Sequence, residues 1–177
     1  MSRAKRILII CLMVVTGLSS SGCHYYWKRY VNKTHKISLV MPRFWRVKEG
    51  KKDLAFIVHS IQRGKKDKFQ ENINVASKVL PKKIDLETVF DVNKDQTLRA
   101  IPGAKLNISE EEIYAGRVRG KYLLFSAKSP AVSVRVISGI WIKDTYMVLI
   151  TCTASIDDFP RYEEAFKRIM QSLRFLD

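Results

Sequence analysis

Val132-Ser-Val-Arg-Val-Ile-Ser-Gly-Ile-Trp-Ile142, then Asp144-Thr145, then Tyr146-Met-Val-Leu-Ile-Thr-Cys-Thr153 is the stretch that decides the fold. Val132, Val134 and Val136 alternate with Ser133 and Arg135, the period of two that a half-buried strand requires. Asp144-Thr145 separates two such runs, the pattern of a β-hairpin. Directly after it, Phe159, Tyr162, Phe166, Ile169, Met170 and Leu173 recur at helical spacing. An apolar stripe that wide has to be buried against a sheet. Asp157 or Asp158 can accept from the free amides at the helix start, and Pro160 is tolerated in the first turn. Glu163–Lys167 and Glu164–Arg168 are i,i+4 pairs on the outer face, each worth about 0.2–0.5 kcal/mol.

Working toward the N-terminus, Glu112–Arg119 reads as a strand, Gly120-Lys121 as a turn and Tyr122–Ser126 as the next strand, with another turn at Ser129-Pro130. Asp85 is a candidate N-cap for a helix over about 86–97, with Leu86, Val89 and Phe90 at its apolar positions. Further strands are expected at Ile37–Met41, ended by Pro42, at Leu54–Gln62, and within Glu71–Val79. Arg63–Asp67 is a turn. Leu54, Phe56 and Val58 oppose Ala55, Ile57 and Ile61, so Leu54–Gln62 reads as a central strand apolar on both faces. Phe44 and Trp45 are expected to cover one end of the core, and residues 24–36 to form a short tether. The fold class is α+β: six or seven mainly antiparallel strands with helices on both faces, an α/β/α sandwich.

In order and pattern the chain resembles the PsbP/Mog1-like family. Ile37-Ser-Leu-Val-Met-Pro-Arg-Phe-Trp45 is similar to the family's opening strand, proline and tryptophan. Asp85-Leu-Glu-Thr-Val-Phe90, Gly120-Lys-Tyr122, the Val132–Thr153 hairpin and the closing Phe159–Phe175 helix follow in the family's order. The resemblance covers residues 36–176. It implies a binding or assembly module, since members include photosystem extrinsic proteins, a Ran-binding nuclear transport factor and bacterial lipoproteins with no shared reaction. Fold alone therefore carries little functional weight, and no residue set here matches a photosystem docking site or a Ran-binding site.

The first 22 residues have the build of an export signal. Arg3, Lys5 and Arg6 precede the apolar run Ile7–Val15, and Leu18-Ser-Ser-Ser-Gly22 leads into Cys23. The small residues before a cysteine resemble a bacterial lipobox, in which the thiol receives diacylglycerol. That implies residues 1–22 as lipoprotein signal, 23–35 as lipidated N-terminus and tether, and 36–177 as the folded domain. The usual leucine three residues before the cysteine is Ser20 here, so cleavage by the ordinary signal peptidase stays open. An uncleaved anchor is the other alternative, but the strongly apolar core of about nine residues has signal-peptide length.

The chain carries 32 Lys and Arg against 17 Asp and Glu, and removal of the signal leaves a net charge of +12. Such a surface favours anionic partners. For an exported protein these are headgroups, anionic envelope polymers or an acidic protein face; nucleic acid is excluded by location and by the lack of any recognition motif. With Cys11 removed and Cys23 acylated, Cys152 has no partner and reads as a buried, inert thiol.

No catalytic or metal-binding pattern is found. His24, His35 and His59 have no ligand spacing, and His59 reads as structural or surface-exposed. Glu110-Glu-Glu112 lacks the alternating ligands of a calcium loop. Gly64-Lys65-Lys66 is no phosphate loop, and a Gly-x-Ser-x-Gly elbow is absent. The sequons at Asn32 and Asn107 carry no weight beside a bacterial signal. The expectation is thus a non-enzymatic lipoprotein without cofactor or metal, attached through Cys23 and facing the periplasm, with the outer membrane favoured over the inner. Its partners would be the membrane and an envelope protein or anionic envelope component. The alternatives are an envelope hydrolase with a site assembled from distant residues and a carrier of apolar ligands.

Overall fold

The alternation around Asp144-Thr145 folds into a hairpin in which Trp141 pairs with Val148 and Lys143 with Tyr146, and Asp144 takes the positive φ of 59° that the tight turn requires. The structure, a computed structural model, describes residues 26–62, 64, 69–101, 105–128 and 132–177, with backbone alone for 105–110. The signal, Cys23, His24, most of the Arg63–Asp67 turn and the Ser129-Pro130 turn lie outside the described residues.

In chain order the elements are Trp27–Asn32 (β1), Ile37–Pro42 (β2), Arg46–Glu49 (β3), Leu54–His59 (β4), Asn72–Val79 (β5), Leu86–Ala100 (α1), Lys105–Ala115 (β6), Val118–Lys128 (β7), Ser133–Lys143 (β8), Tyr146–Ser155 (β9), Phe159–Gln171 (α2) and Arg174–Phe175 (β10). A seven-stranded sheet has the order β3-β4-β5-β9-β8-β7-β6, and a separate three-stranded sheet has the order β1-β2-β10. The pairings are antiparallel. The single sheet expected from the sequence is therefore two. The segment expected to be a tether supplies β1, whose Tyr30 reaches Phe56 edge-on at 4.8 Å.

Neighbouring residues of β7 serve two different cores. Tyr122 and Leu124 join the larger cluster, which holds Phe159, Tyr162, Phe166, Ile169 and Met170 of α2 and Ile37, Leu39 and Met41 of β2. Leu123 and Phe125 join the smaller cluster around Phe90 of α1. The α2 stripe is buried as its spacing demands. Asp85 caps α1: its Oδ1 accepts the Thr88 N–H at 2.8 Å. Asp158 stands at the N-cap position of α2, but its carboxylate accepts the Ser155 hydroxyl at 3.0 Å instead of a helix amide.

Several local expectations shift. The turn expected at Gly120-Lys121 lies at Gly116-Arg117, where Gly116 takes a φ of 62°. Gly120 instead lies within β7 under the Trp141 ring, where a Cβ would come within 2.5 Å of the indole. β4 ends at His59, and Ile61, expected on its second face, is 51% exposed beyond it. Trp45 covers the core, edge-on to Tyr162 at 5.9 Å, whereas Phe44 is 61% exposed.

Candidate functional site: a basic groove

Four elements meet at one end of α2. The helix stops at Gln171, and the Ser172 N–H bonds back to the Arg168 and Ile169 carbonyls, both at 3.1 Å. The Ser172 hydroxyl accepts the Val40 N–H at 2.8 Å and donates to the Ile169 carbonyl at 2.6 Å. One side chain thus serves both a helix end and the open edge of β2, where no strand partner has yet begun. Leu173 is then buried, and Arg174 and Phe175 pair with Ser38 and Ile37. The closing helix expected over Phe159–Phe175 ends at Gln171, and its last two expected residues become β10.

This junction, the Gly116-Arg117 turn, β1 and the end of β8 enclose a groove of about 500 Å³. Arg29, Arg117, Lys143 and Arg174 line it, and among the described residues no acidic side chain does. Arg29 Nη1 donates to Ser38 Oγ at 3.0 Å, and Lys143 Nζ pairs with Asp177 at 3.2 Å. Converging cations over an apolar floor of Leu173 and Phe175 suit a carboxylate or phosphate, which guanidinium groups can grip with two parallel hydrogen bonds. An adjoining groove of about 500 Å³ shares Lys143 and Phe175 and is lined by Lys36, Asp144, Thr145 and Tyr146 as well. None of these residues is a motif in the sequence. The only signal that could have found Arg29, Arg117 and Arg174 is the basic bias itself, which does not separate a groove from a solvated surface.

A second cluster lies beside the adjoining groove. His35 Nδ1 is 2.7 Å from Ser77 Oγ. The Tyr146 hydroxyl lies 2.7 Å from the His35 carbonyl oxygen and 2.9 Å from Ser77 Oγ. His35 and Ser77 stand 42 positions apart in the chain, so no local spacing could reveal their pairing. Ser77 is only 4% exposed, and its hydroxyl is shared between an imidazole and a phenol. The cluster clasps the β1–β2 turn to the main sheet.

The remaining candidates are used structurally. Glu112 accepts Arg119 at 2.9 Å, and Glu111 accepts the Tyr122 hydroxyl. Burial first, then Glu111, pushes that phenol upward in pKa. Tyr30 is pushed up to about 12 by burial first and then by its bond to Glu49. Arg119 and Lys121 both pair with Glu87, and they hold its carboxyl below its ordinary pKa, Lys121 contributing most. His59 is half-buried at the end of β4. Cys152 lies fully buried with Val148 and Ile150, and burial raises its pKa. Among the described residues no three His, Cys, Asp or Glu side chains are grouped to hold a metal ion.

No family model matches the chain, and no curated protein matches it. Solved structures do. The solution structure of cyanobacterial PsbP, CyanoP, from Synechocystis matches with a TM-score of 0.65 at 14% identity, over 84% of this chain and 92% of that one. LpqN, described as involved in cell envelope biogenesis of Mycobacterium tuberculosis, matches with a TM-score of 0.64 at 14% identity, over 87% of this chain and 92% of that one. A Pseudomonas aeruginosa protein of unknown function matches with a TM-score of 0.57 at 15% identity, over 83% and 95%. At such identities the likeness is one of fold. With antiparallel sheets and two helices among its described residues, this chain has a PsbP-like fold.

Proposed function

We propose that the chain is a non-catalytic lipoprotein of the bacterial envelope, held in the membrane by acylated Cys23 and facing the periplasm. It serves as a binding or assembly module whose groove takes an anionic group of an envelope protein or envelope polymer. The observation that carries this reading is the convergence of Arg29, Arg117, Lys143 and Arg174 on one groove whose lining, among the described residues, holds no acidic side chain. The fold shared with LpqN supports an envelope setting. Among the described residues no helix is long and apolar enough to cross a membrane; the support for retention is the N-terminal sequence pattern ending in Cys23. The outer membrane is favoured over the inner. The layered arrangement, with α1 and α2 on both faces of the main sheet, belongs to the same reading and is supported by the division of β7 side chains between two cores.

A hydrolase would start from the His35–Ser77 contact, but the low exposure of Ser77 favours a clasp over a nucleophile. An apolar-ligand carrier needs a deep apolar cavity, whereas both grooves are lined by charged residues.

Site-specific photo-crosslinking in cells tests the groove. A photoreactive residue at Gln171, on the groove rim, is expected to give a discrete adduct, and one at Lys82 to give none. Arg29→Gln with Arg174→Gln is expected to remove the adduct. An adduct that survives loss of both charges, or equal adducts from the two positions, would contradict the assignment.

A further inference from the structure

We infer that the Tyr26–Phe44 pair is a membrane-contact face that seats the domain directly on an anionic phospholipid surface, an inference that rests on acylation at Cys23. Tyr26 is 70% exposed and Phe44 61% exposed, and their rings meet edge-on at 6.3 Å. Phe44 is not simply left over from the core. The Trp45 N–H closes a turn onto the Pro42 carbonyl at 3.1 Å, and the Arg43 N–H bonds to the Tyr26 carbonyl. These bonds aim Phe44 outward while Trp45, the next residue, is buried. Exposed Lys28, Arg43 and Arg46 lie close by in the chain. Aromatic rings ringed by Lys and Arg have the composition of a surface that rests at the headgroup level of an anionic bilayer.

Chain length supplies the second argument. Residues 24–35 as a free tether would reach about 40 Å, far enough for the domain to tumble clear of the bilayer. β1 begins at Trp27, so only residues 24–26 remain between the acylated cysteine and a strand. Three residues span at most about 11 Å. An acyl group at Cys23 therefore brings the Tyr26 end of the β1–β2 hairpin against the headgroups. The other end lies six paired residues away, about 17 Å along the strands. There Tyr146 meets His35, close to the Asp144 turn and to Lys143 of the basic groove. The seating that buries Tyr26 and Phe44 leaves this Asp144 end of the domain away from the membrane, while Arg29, on β1 two residues from Trp27, places one side of the basic groove nearer the headgroups.

The test uses the full chain purified from its host membrane and reconstituted into vesicles of phosphatidylethanolamine and phosphatidylglycerol. Spin labels are placed at Phe44→Cys, at Tyr26→Cys and at Asp144→Cys in separate chains; Cys152 is fully buried and stays silent. Collision rates with oxygen and with a water-soluble nickel chelate report depth. Labels at 26 and 44 are expected to favour oxygen over the chelate at least threefold more than the label at 144. The tyrosine site retains Phe44 and the phenylalanine site retains Tyr26, so neither reading depends on one ring. The mass of the N-terminal peptide reports acylation separately. Acylated protein with all three labels equally open to the chelate would overturn the seating and leave the anchor standing. A Cys23 without acyl groups would overturn both.

Discussion

Replacing Phe166 by alanine tests the packing on which the groove depends. Phe166 is fully buried. It stacks on Tyr162 at 5.8 Å, lies against Phe159 at 6.0 Å and meets Trp45 edge-on at 6.4 Å. Truncating a buried Phe costs about 3–5 kcal/mol through the forfeited transfer energy and an unfilled cavity. Each aromatic pairing adds about 0.5–1.5 kcal/mol beyond area burial. Alanine has no ring to offer Tyr162, Phe159 or Trp45, so the upper part of that range is expected, about 4–5 kcal/mol. For a domain of this size that lowers Tm by about 8–20 °C, a large share of a typical stability of about 5–15 kcal/mol. Urea unfolding of the chain from residue 24 onward, followed by tryptophan fluorescence, measures it. Phe166→Leu, which keeps most of the volume, is expected to cost less than half as much. A loss below about 1 kcal/mol for the alanine variant would mean that α2 does not close the larger core.

Gly120→Ala places a methyl group 2.5 Å from the buried Trp141 ring; thermal unfolding is expected to show a loss of about 1–3 kcal/mol from overpacking, and a neutral result would contradict the close approach. The Asp85 carboxyl is held below its ordinary value of 3.8, first by the Thr88 N–H and then by the Thr88 hydroxyl. Its contribution is fully present above that ordinary value and disappears as pH falls through the lower folded value. Wild type is therefore expected to lose α1 stability in acid more steeply than Asp85→Asn, as read by hydrogen exchange in the helix; identical acid profiles would contradict the cap. Cys152, whose pKa is raised by burial, is expected to resist thiol reagents in the native state and react on unfolding; rapid native modification would contradict its placement.

The elements legible in the sequence are those whose own residues carry a period. The β8–β9 hairpin alternates around a turn dipeptide, and α2 repeats its large apolar residues every three or four positions. Asp85 marks α1 because an N-cap is a local interaction. β1 is hidden because Trp27-Lys-Arg-Tyr-Val-Asn32 mixes basic and aromatic residues, and its strand character comes from pairing with β2. β10 is two residues long, too short to show a period of its own. Gly120 has the look of a turn residue, yet its missing side chain makes room for Trp141. The groove is not legible at all. Arg29, Arg117, Lys143 and Arg174 come from four separate parts of the chain, and only the topology brings them together. The aromatic face is half legible: Phe44 and Trp45 stand out as large residues, but the turn bonds that send one inward and the other outward are tertiary.

Retention in the membrane through Cys23 is the claim on which the rest stands, and metabolic labelling with a fatty-acid probe tests it most directly. Wild-type protein recovered from bacterial envelopes is expected to carry the probe and to remain with the membrane fraction. Cys23→Ser is expected to carry none. Equal labelling of the two proteins, or a wild type that is exported and cleaved without taking up the probe, would contradict the anchor.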